Sequence, residues 1–217
     1  MDHVFFLNQD WSFLKFRIYF SAKNEKNTFT FSGRLRIFEA SVYIDVFGWN
    51  LIDGDGNTKL YTCALRKEIN STFNQKLIVD FLVDEIKAVD YDAIAIPGGF
   101  EEYGFYSDAF DPQFTSIIKK FYEEEKIISS ICTGAFPIAK SGILNHKKGT
   151  TYNLNPLRQQ MLADLGVNVV NQPIVESDRI TTSWNPSTAL DVAFKLLTDL
   201  TGEENTVSIK TKMGFLS

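Results

Sequence analysis

The sequence predicts an α/β protein in which helices cover both faces of a mainly parallel sheet. Short runs rich in β-branched and aromatic residues alternate with amphipathic segments of helical length, and this alternation is typical of such a sheet. The 217 residues, 44% hydrophobic and 23% charged, are enough to bury one full core. We divide the chain into an N-terminal extension of uncertain order, 1–26, and a single domain, 27–217.

The first half of the chain supplies three strands and one helix. The runs at 27–32, 59–65 and 92–96 are short and apolar, so we predict a strand at each. The segment 39–49 lies between the first two runs and is predicted to be helical. Strands separated in this way by helices favour a parallel arrangement.

The second half opens with a well-marked helix over 111–126. Asp111 can cap its N-terminus, Pro112 suits the first helical position, and four apolar side chains at helical spacing form one face. The remaining predicted elements, in order, are strands at 127–131 and 149–153, a helix at 155–164, strands at 166–175 and 180–183, and a helix at 187–200.

Cys132 stands at the junction between a strand and a helix. The β-branched run 127–131 precedes it, and apolar residues at helical spacing follow until Gly142. At a helix N-terminus, unpaired N–H groups and the helix dipole favour the thiolate over the thiol. Cys132 is therefore a candidate nucleophile, although a small buried apolar residue explains the position alone equally well.

Two further turns carry residues that could act with this thiol. Glu39 follows the first strand, and Gly98 and Gly99 follow the strand at 92–96. In parallel sheets, ligands bind beyond the carboxyl ends of the strands. If these ends are neighbours, Glu39 could hydrogen-bond the sulfur and shuttle a proton, and the amides of Gly99 and Thr133 could hold an oxyanion. Taken singly, the glycines are explained by a turn and Glu39 by the helix dipole.

Composition excludes several classes of function. The net charge of −5 is scattered and gives no basic stripe for nucleic acid. Cys63 and Cys132 form neither a metal spacing nor a disulfide framework, and no apolar run reaches the roughly 18 residues of a membrane span. The N-terminus lacks a signal-peptide cleavage site. We therefore expect a cytoplasmic protein without bound metal, nucleic acid or membrane.

Four segments together resemble the ThiJ/PfpI family, a branch of the class I glutamine-amidotransferase-like superfamily. They are "DAIAIPGGFEE", "SSICTGAFPIAKSGIL", "KGTTYNL" and "ITTSWNPSTALDVAFKLL", and the likeness spans 27–214. The resemblance implies a flavodoxin-like three-layer sandwich, a homodimer and no cofactor. It also implies the roles of the site residues. Cys132 would be the nucleophile and Glu39 its protonated partner, Gly99 and Thr133 would be the oxyanion donors, and Gly98 and Tyr152 would support them.

The sequence departs from the family at the positions of a catalytic histidine. Hydrolytic members have a histidine directly after the cysteine or about twenty residues on, and here Thr133 and Tyr152 hold those places. The two histidines of the chain are His3, in the extension, and His146, in an exposed turn. A peptidase or amidotransferase is therefore disfavoured.

Two functional hypotheses remain. The first is a cysteine-dependent enzyme of the glyoxalase or deglycase type that acts on a small reactive carbonyl compound. The second is a redox sensor or chaperone-like stress protein that uses oxidation of an exposed, low-pKa Cys132. Both assume that the helix end and a neutral Glu39 lower the pKa of the thiol more than burial raises it.

Large aromatic and apolar residues suggest a pocket and an interface. Candidates for the pocket lining are Tyr103, Phe105, Tyr106 and Trp184. A homodimer interface is expected near the first helix, through Val42, Phe47 and Trp49.

Overall fold

The computed structural model of the protein describes the backbone of residues 26–30 and the whole of residues 33–215. The strands are β1 (Lys26–Thr30), β2 (Thr58–Ala64), β3 (Glu68–Asn70), β4 (Lys76–Ile78), β5 (Phe81–Leu82), β6 (Ala93–Ile96), β7 (Ile127–Ser130), β8 (Lys148–Gly149), β9 (Asn168–Val169), β10 (Ile174–Ser177) and β11 (Ile180–Ser183). The helices are α1 (Ile37–Asp53), α2 (Phe105–Ala109), α3 (Pro112–Glu123), α4 (Ala135–Lys140), α5 (Pro156–Asp164), α6 (Ala189–Thr201) and α7 (Glu203–Lys212).

The main sheet of the described residues has seven strands in the order β10-β11-β7-β6-β1-β2-β5. All neighbouring strands are parallel except β10, which runs antiparallel to β11 at one edge. Two smaller pairs, the hairpin β3–β4 and the parallel pair β8–β9, lie beside it. The predicted mainly parallel sheet is confirmed.

Helices pack on both faces of this sheet. α1, α6 and α7 contact one another on one face, and α2, α3, α4 and α5 form the other layer. The wholly buried strand β6 contributes side chains to the core on both faces of the sheet, because successive side chains of a strand point to opposite faces. Ala93 and Ala95 belong to the core under α1 and α6, whereas Ile94 and Ile96 belong to the core under α3 and α4. The predicted flavodoxin-like three-layer sandwich is therefore confirmed.

The start of α3 shows why the sequence signals for this helix were reliable. Asp111 accepts a hydrogen bond from the backbone N–H of Gln113 at 2.8 Å, and Pro112 occupies the first helical position. The four predicted apolar residues of this helix are all buried in the core. Cap, proline and apolar face therefore act together as the spacing predicts.

Several predicted elements differ from those observed. The single strand predicted at 166–175 is divided into β9 and β10, because Pro173 lies between them and has no N–H for a strand ladder. The strand predicted at 149–153 is reduced to the two residues of β8. The helix predicted at 187–200 begins with a 3-10 turn, Pro186–Thr188, before α6.

The residues proposed for a dimer interface belong to the core of the single chain. Val42 is 6% exposed and Phe47 is 2% exposed, and both pack in the cluster that α1 forms with α6. Trp49 packs against the same cluster. Val42 and Phe47 are therefore unavailable to an interface, Trp49 is partly buried, and the homodimer stays a prediction.

The order of the strands places a crevice at the carboxyl ends of β1 and β6. After β1 the chain turns to β2 on one side, and it later returns to β6 on the other. Such a reversal of direction is where open α/β sheets bind ligands. The loops after β1 and β6 are joined by a hydrogen bond of 2.8 Å from the N–H of Arg36 to the carbonyl of Gly98.

Two expectations concern parts of the chain rather than the sheet. The predicted extension, apart from Lys26, lies outside the described residues, so the division at residue 26 stays a prediction. Among the helices of the described ranges, none is both long and apolar enough to cross a membrane.

Candidate active site

Cys132 occupies the predicted elbow between β7 and α4. It begins a 3-10 turn, Cys132–Gly134, and has a φ of +55°, in the left-handed region that disfavours residues with a Cβ atom. Its carbonyl accepts a hydrogen bond of 2.9 Å from the hydroxyl of Thr151. A Cβ atom on Gly134 would lie 2.2 Å from the carbonyl oxygen of Ile96, so only glycine lets the turn pass this close to β6.

Glu39 lies in the first turn of α1 and reaches the same crevice. Its side chain is fully buried, and Oε2 accepts a hydrogen bond of 2.7 Å from the N–H of Gly98. A Cβ atom on Gly98 would lie 2.9 Å from that same oxygen and 2.5 Å from the hydroxyl of Thr133. Glycine at this position therefore lets the carboxyl and the backbone meet.

Burial controls the protonation of Glu39. Loss of contact with water raises the pKa of the carboxyl to about 7, against the lowering effects of the Gly98 N–H, the Arg36 charge and the Cys132 thiol. The other oxygen, Oε1, has no hydrogen-bond partner and lies 3.5 Å from Nε of Arg36. At neutral pH Glu39 is therefore divided between its protonated and ionised forms, and the shift is in the direction that the family resemblance implies.

The thiol behaves differently from the expectation. Cys132 is only 6% exposed, and burial raises its pKa, to which negative charge on Glu39 adds. The N–H and hydroxyl of Thr133 and the charge of Arg36 lower the pKa by less. The prediction that the helix end and Glu39 outweigh burial was therefore wrong, because the elbow places the sulfur under the surface. The resting form of Cys132 is the thiol.

Both predicted oxyanion donors lie close to Cys132, and each of them already has a hydrogen-bond partner. The N–H of Gly99 donates a hydrogen bond of 2.8 Å to the hydroxyl oxygen of Thr133, which in turn donates one of 2.7 Å to the carbonyl of Gly99. The N–H of Thr133 is directed to the sulfur of Cys132. Gly99 can serve an oxyanion only after the Thr133 side chain turns away, so its role stays a prediction.

A pocket of about 120 Å³ opens over the sulfur. The residues that line it include Cys132, Thr133, Gly99, Tyr152, Arg36 and Arg158. The supporting position predicted for Tyr152 is thus part of the pocket wall. The aromatic candidates Tyr103, Phe105, Tyr106 and Trp184 are not among its lining residues; Phe105, for example, is completely buried.

Sequence analysis missed the two arginines of the pocket. Arg36 precedes Glu39 by three residues, a spacing that places the two side chains on the same face at the start of a helix. Arg158 lies in the first turn of α5, whose start is marked by Asn155 as cap and Pro156 as first residue. These local signals could have identified both arginines, although neither signal shows that the two meet at one pocket.

The described part of the chain places no histidine at the thiol. His146 is exposed in the turn after α4 and does not line the pocket. His3 lies outside the described residues. No group of three or more histidine, cysteine, aspartate or glutamate side chains in the described ranges could hold a metal ion.

The fold is a flavodoxin-like α/β sandwich that carries a cysteine elbow, a buried glutamate and a Gly-Gly turn at the carboxyl edge of its sheet. The family model described as "DJ-1/PfpI family" matches residues 34–199. The chain belongs to the DJ-1/PfpI family.

Known relatives carry names of related activities. A glutathione-independent glyoxalase of Caenorhabditis elegans is 26% identical over 168 residues, which cover 77% of this chain and 86% of that protein. A deglycase of Pyrococcus abyssi is 25% identical over 145 residues, covering 65% of this chain and 84% of that protein. The crystal structure of Drosophila melanogaster DJ-1beta has a TM-score of 0.75 and 18% identity, covering 88% of this chain and 98% of that chain, and supports the fold.

Proposed function

We propose that the protein is a cysteine-dependent enzyme that acts on small reactive carbonyl compounds, in the manner of a glyoxalase or deglycase. The observation that carries the proposal is the buried Glu39, with a pKa of about 7, which shares a hydrogen bond with the thiol of Cys132, and Cys132 itself lines a small pocket. A general base is most effective when its pKa lies near the working pH. The names of two relatives, a glyoxalase and a deglycase, support the same class of substrate.

The first chemical step follows from the protonation states. Because the pKa of Cys132 is raised, the thiol needs a base at the moment of attack. The ionised form of Glu39 accepts the thiol proton while the sulfur adds to the carbonyl carbon. The C–S bond forms, the carbonyl π pair moves to oxygen, and the alkoxide takes up the proton to give a hemithioacetal.

The developing alkoxide needs donors that point into the pocket. The N–H of Thr133 lies at the elbow, and the N–H of Gly99 becomes free when the Thr133 hydroxyl rotates to the substrate. Removing a single donor from such a site slows catalysis by roughly 100- to 1,000-fold.

For an α-oxoaldehyde the remaining steps use the same glutamate. Glu39 removes the proton from the carbon that carries sulfur, which leaves an enediolate, and returns that proton to the neighbouring carbon. The hydroxyl proton of the hemithioacetal passes to the oxygen of that neighbouring carbon, and the product is a thioester of a 2-hydroxy acid. Water then hydrolyses the thioester and restores the thiol. The net change is the addition of one water molecule to the α-oxoaldehyde, so no external oxidant or reductant is needed.

The redox-sensor hypothesis has less support. It requires an exposed thiol of low pKa, since oxidation follows thiolate character and accessibility. Cys132 is 6% exposed, and burial raises its pKa. A raised pKa of the thiol opposes both hypotheses as first stated, but an enzyme can deprotonate the thiol through Glu39 during the reaction, so we favour the enzyme hypothesis.

Turnover of 2-oxopropanal, followed as release of the 2-hydroxy acid, tests this proposal. Cys132→Ser should abolish turnover, and Glu39→Gln should reduce it by roughly 100-fold or more because the base is lost. Cys63→Ala is the matched control, since Cys63 is buried in β2 outside the pocket. Full activity of Cys132→Ser would overturn the assignment of the nucleophile.

A further inference from the structure

Arg36 brings a positive charge into the lining of the pocket of Cys132, and its ion pair with Glu39 is long, at 3.5 Å. Its Nε atom is buried and makes no hydrogen bond. The guanidinium lies over the ring of Phe100, 5.1 Å from the centroid, and both residues line the pocket. A buried donor without an acceptor is unusual in native structures and calls for an explanation.

Glu39 does not supply the missing acceptor. Its Oε1 atom is 3.5 Å from Nε of Arg36, outside hydrogen-bond geometry. In addition, the carboxyl is partly protonated at neutral pH, because burial raises its pKa to about 7. The charge of Arg36 is therefore incompletely balanced by the protein.

The second arginine of the pocket is in a different situation. Nη1 of Arg158 bonds Glu101 at 2.7 Å and the hydroxyl of Tyr106 at 3.0 Å. Glu102, which also lines the pocket, is 3.9 Å from Nη2. Arg158 is therefore neutralised within the protein, and the donor available to a ligand is Arg36.

We propose that the pocket accepts carbonyl compounds that carry a carboxylate next to the reactive carbon, and that Arg36 binds this carboxylate. The proposal rests on the proposed function for the role of Cys132 and deepens it by naming the substrate class. A pocket of about 120 Å³ holds only a short molecule, so a ligand held at Arg36 also contacts the sulfur. Arginine is suited to this task, since its planar fork matches a carboxylate.

Protection of Cys132 from alkylation by iodoacetamide measures binding without requiring turnover. The probes are glyoxylate, an aldehyde with an adjacent carboxylate, and glycolaldehyde, a neutral aldehyde of similar size. The concentration of each that halves the alkylation rate is measured by mass spectrometry in the wild type and in each variant. The ratio of the two concentrations isolates the effect of the carboxylate.

Arg36→Gln should raise the half-protecting concentration of glyoxylate by about tenfold or more, as expected for the loss of one charge-assisted hydrogen bond. That of glycolaldehyde should change by less than about twofold, which also shows that the pocket is intact. Arg36→Lys should retain part of the preference, because it keeps the charge but loses the planar fork. Arg179→Gln is the matched control: Arg179 also stacks on an aromatic ring and has a buried, unpaired Nε, but lies outside the pocket.

The result that overturns the inference is an unchanged ratio in Arg36→Gln, or the failure of glyoxylate to protect the wild type. The outcome is separate from the test of the proposed function. If glyoxylate protects in a way that depends on Arg36 but 2-oxopropanal is not turned over, the carboxylate site stands and the proposed glyoxalase-type activity fails. If 2-oxopropanal is turned over but Arg36→Gln leaves the ratio of half-protecting concentrations unchanged, the activity stands and the carboxylate site fails.

Discussion

Replacing Glu39 by glutamine should change how the stability of the fold depends on pH. The glutamine keeps the shape of the side chain and can accept the hydrogen bond from Gly98, but it cannot ionise. It therefore mimics the protonated acid. The comparison isolates the free energy of placing a negative charge at this buried position.

The magnitude follows from the pKa. Burial raises the pKa of Glu39 from 4.5 to about 7. Because the folded state holds the proton more tightly than the unfolded state, the stabilising contribution is complete below pH 4.5 and is lost as the pH rises through 7. Between pH 5 and pH 8 the wild type should lose about 2–3 kcal/mol that Glu39→Gln does not lose. For a chain of this size this corresponds to roughly 5–10 °C in melting temperature.

Denaturant unfolding at pH 5 and pH 8 measures the difference directly. Other titrating groups are shared by wild type and variant, so their effects cancel in the comparison. Glu102→Gln is the matched control, because it removes the same charge from a side chain that lines the neighbouring pocket and is 67% exposed. Equal loss of stability in the wild type and in Glu39→Gln would refute the argument from burial.

Three other predictions concern the thiol, the elbow and the assembly. The pH profile of alkylation should give Cys132 a pKa above the 8.5 of a free cysteine, and a midpoint below pH 8 would contradict this. Cys132 should still be alkylated faster than Cys63, because of the two only Cys132 lines the pocket. Gly134→Ala should lower the free energy of unfolding by roughly 3 kcal/mol or more, because the new Cβ atom would lie 2.2 Å from the carbonyl oxygen of Ile96. Gly48→Ala should instead raise it by up to about 1 kcal/mol, because Gly48 lies in α1 with open space around it. We expect a homodimer through the exposed apolar face of α1, so light scattering should report a dimer that Ile44→Lys dissociates; a monomeric wild type at micromolar concentration would refute it.

The sequence predicted those elements in which local signals agree with the tertiary structure. β6 and β7 are short apolar runs that become the centre of the sheet, and α3 has cap, proline and apolar face together. The hairpin β3–β4 and the helix α7 were missed. α7 buries only Thr206 and Ile209, so its sequence carries almost no apolar periodicity.

The sequence predicted the positions of Glu39, Gly98 and Cys132, but not the two arginines of the pocket or the electrostatics of the site. Glu39, Gly98 and Cys132 could be placed at one edge because each follows a parallel strand, and the order of the strands brings those ends together. The pKa of the thiol could not be predicted, because its direction depends on how deeply the elbow is buried. Burial of one side chain depends on contacts from several distant segments, which no local pattern records.

No histidine of the described residues lines the pocket, and the base that we propose is the buried Glu39. This choice of base links the stability of the fold to the proposed chemistry. A Cys-His pair can place the base on a partly exposed loop, where its ionisation leaves the fold unchanged. Here the candidate base is Glu39, buried in the first turn of α1. The carboxylate that would accept the thiol proton is the same charge that lowers the free energy of unfolding. Stability should therefore fall between pH 4.5 and about pH 7, and activity should rise with a midpoint near pH 7. A protein that gains activity at the pH at which its loss of stability is completed is the expected result of using a buried acid as a base.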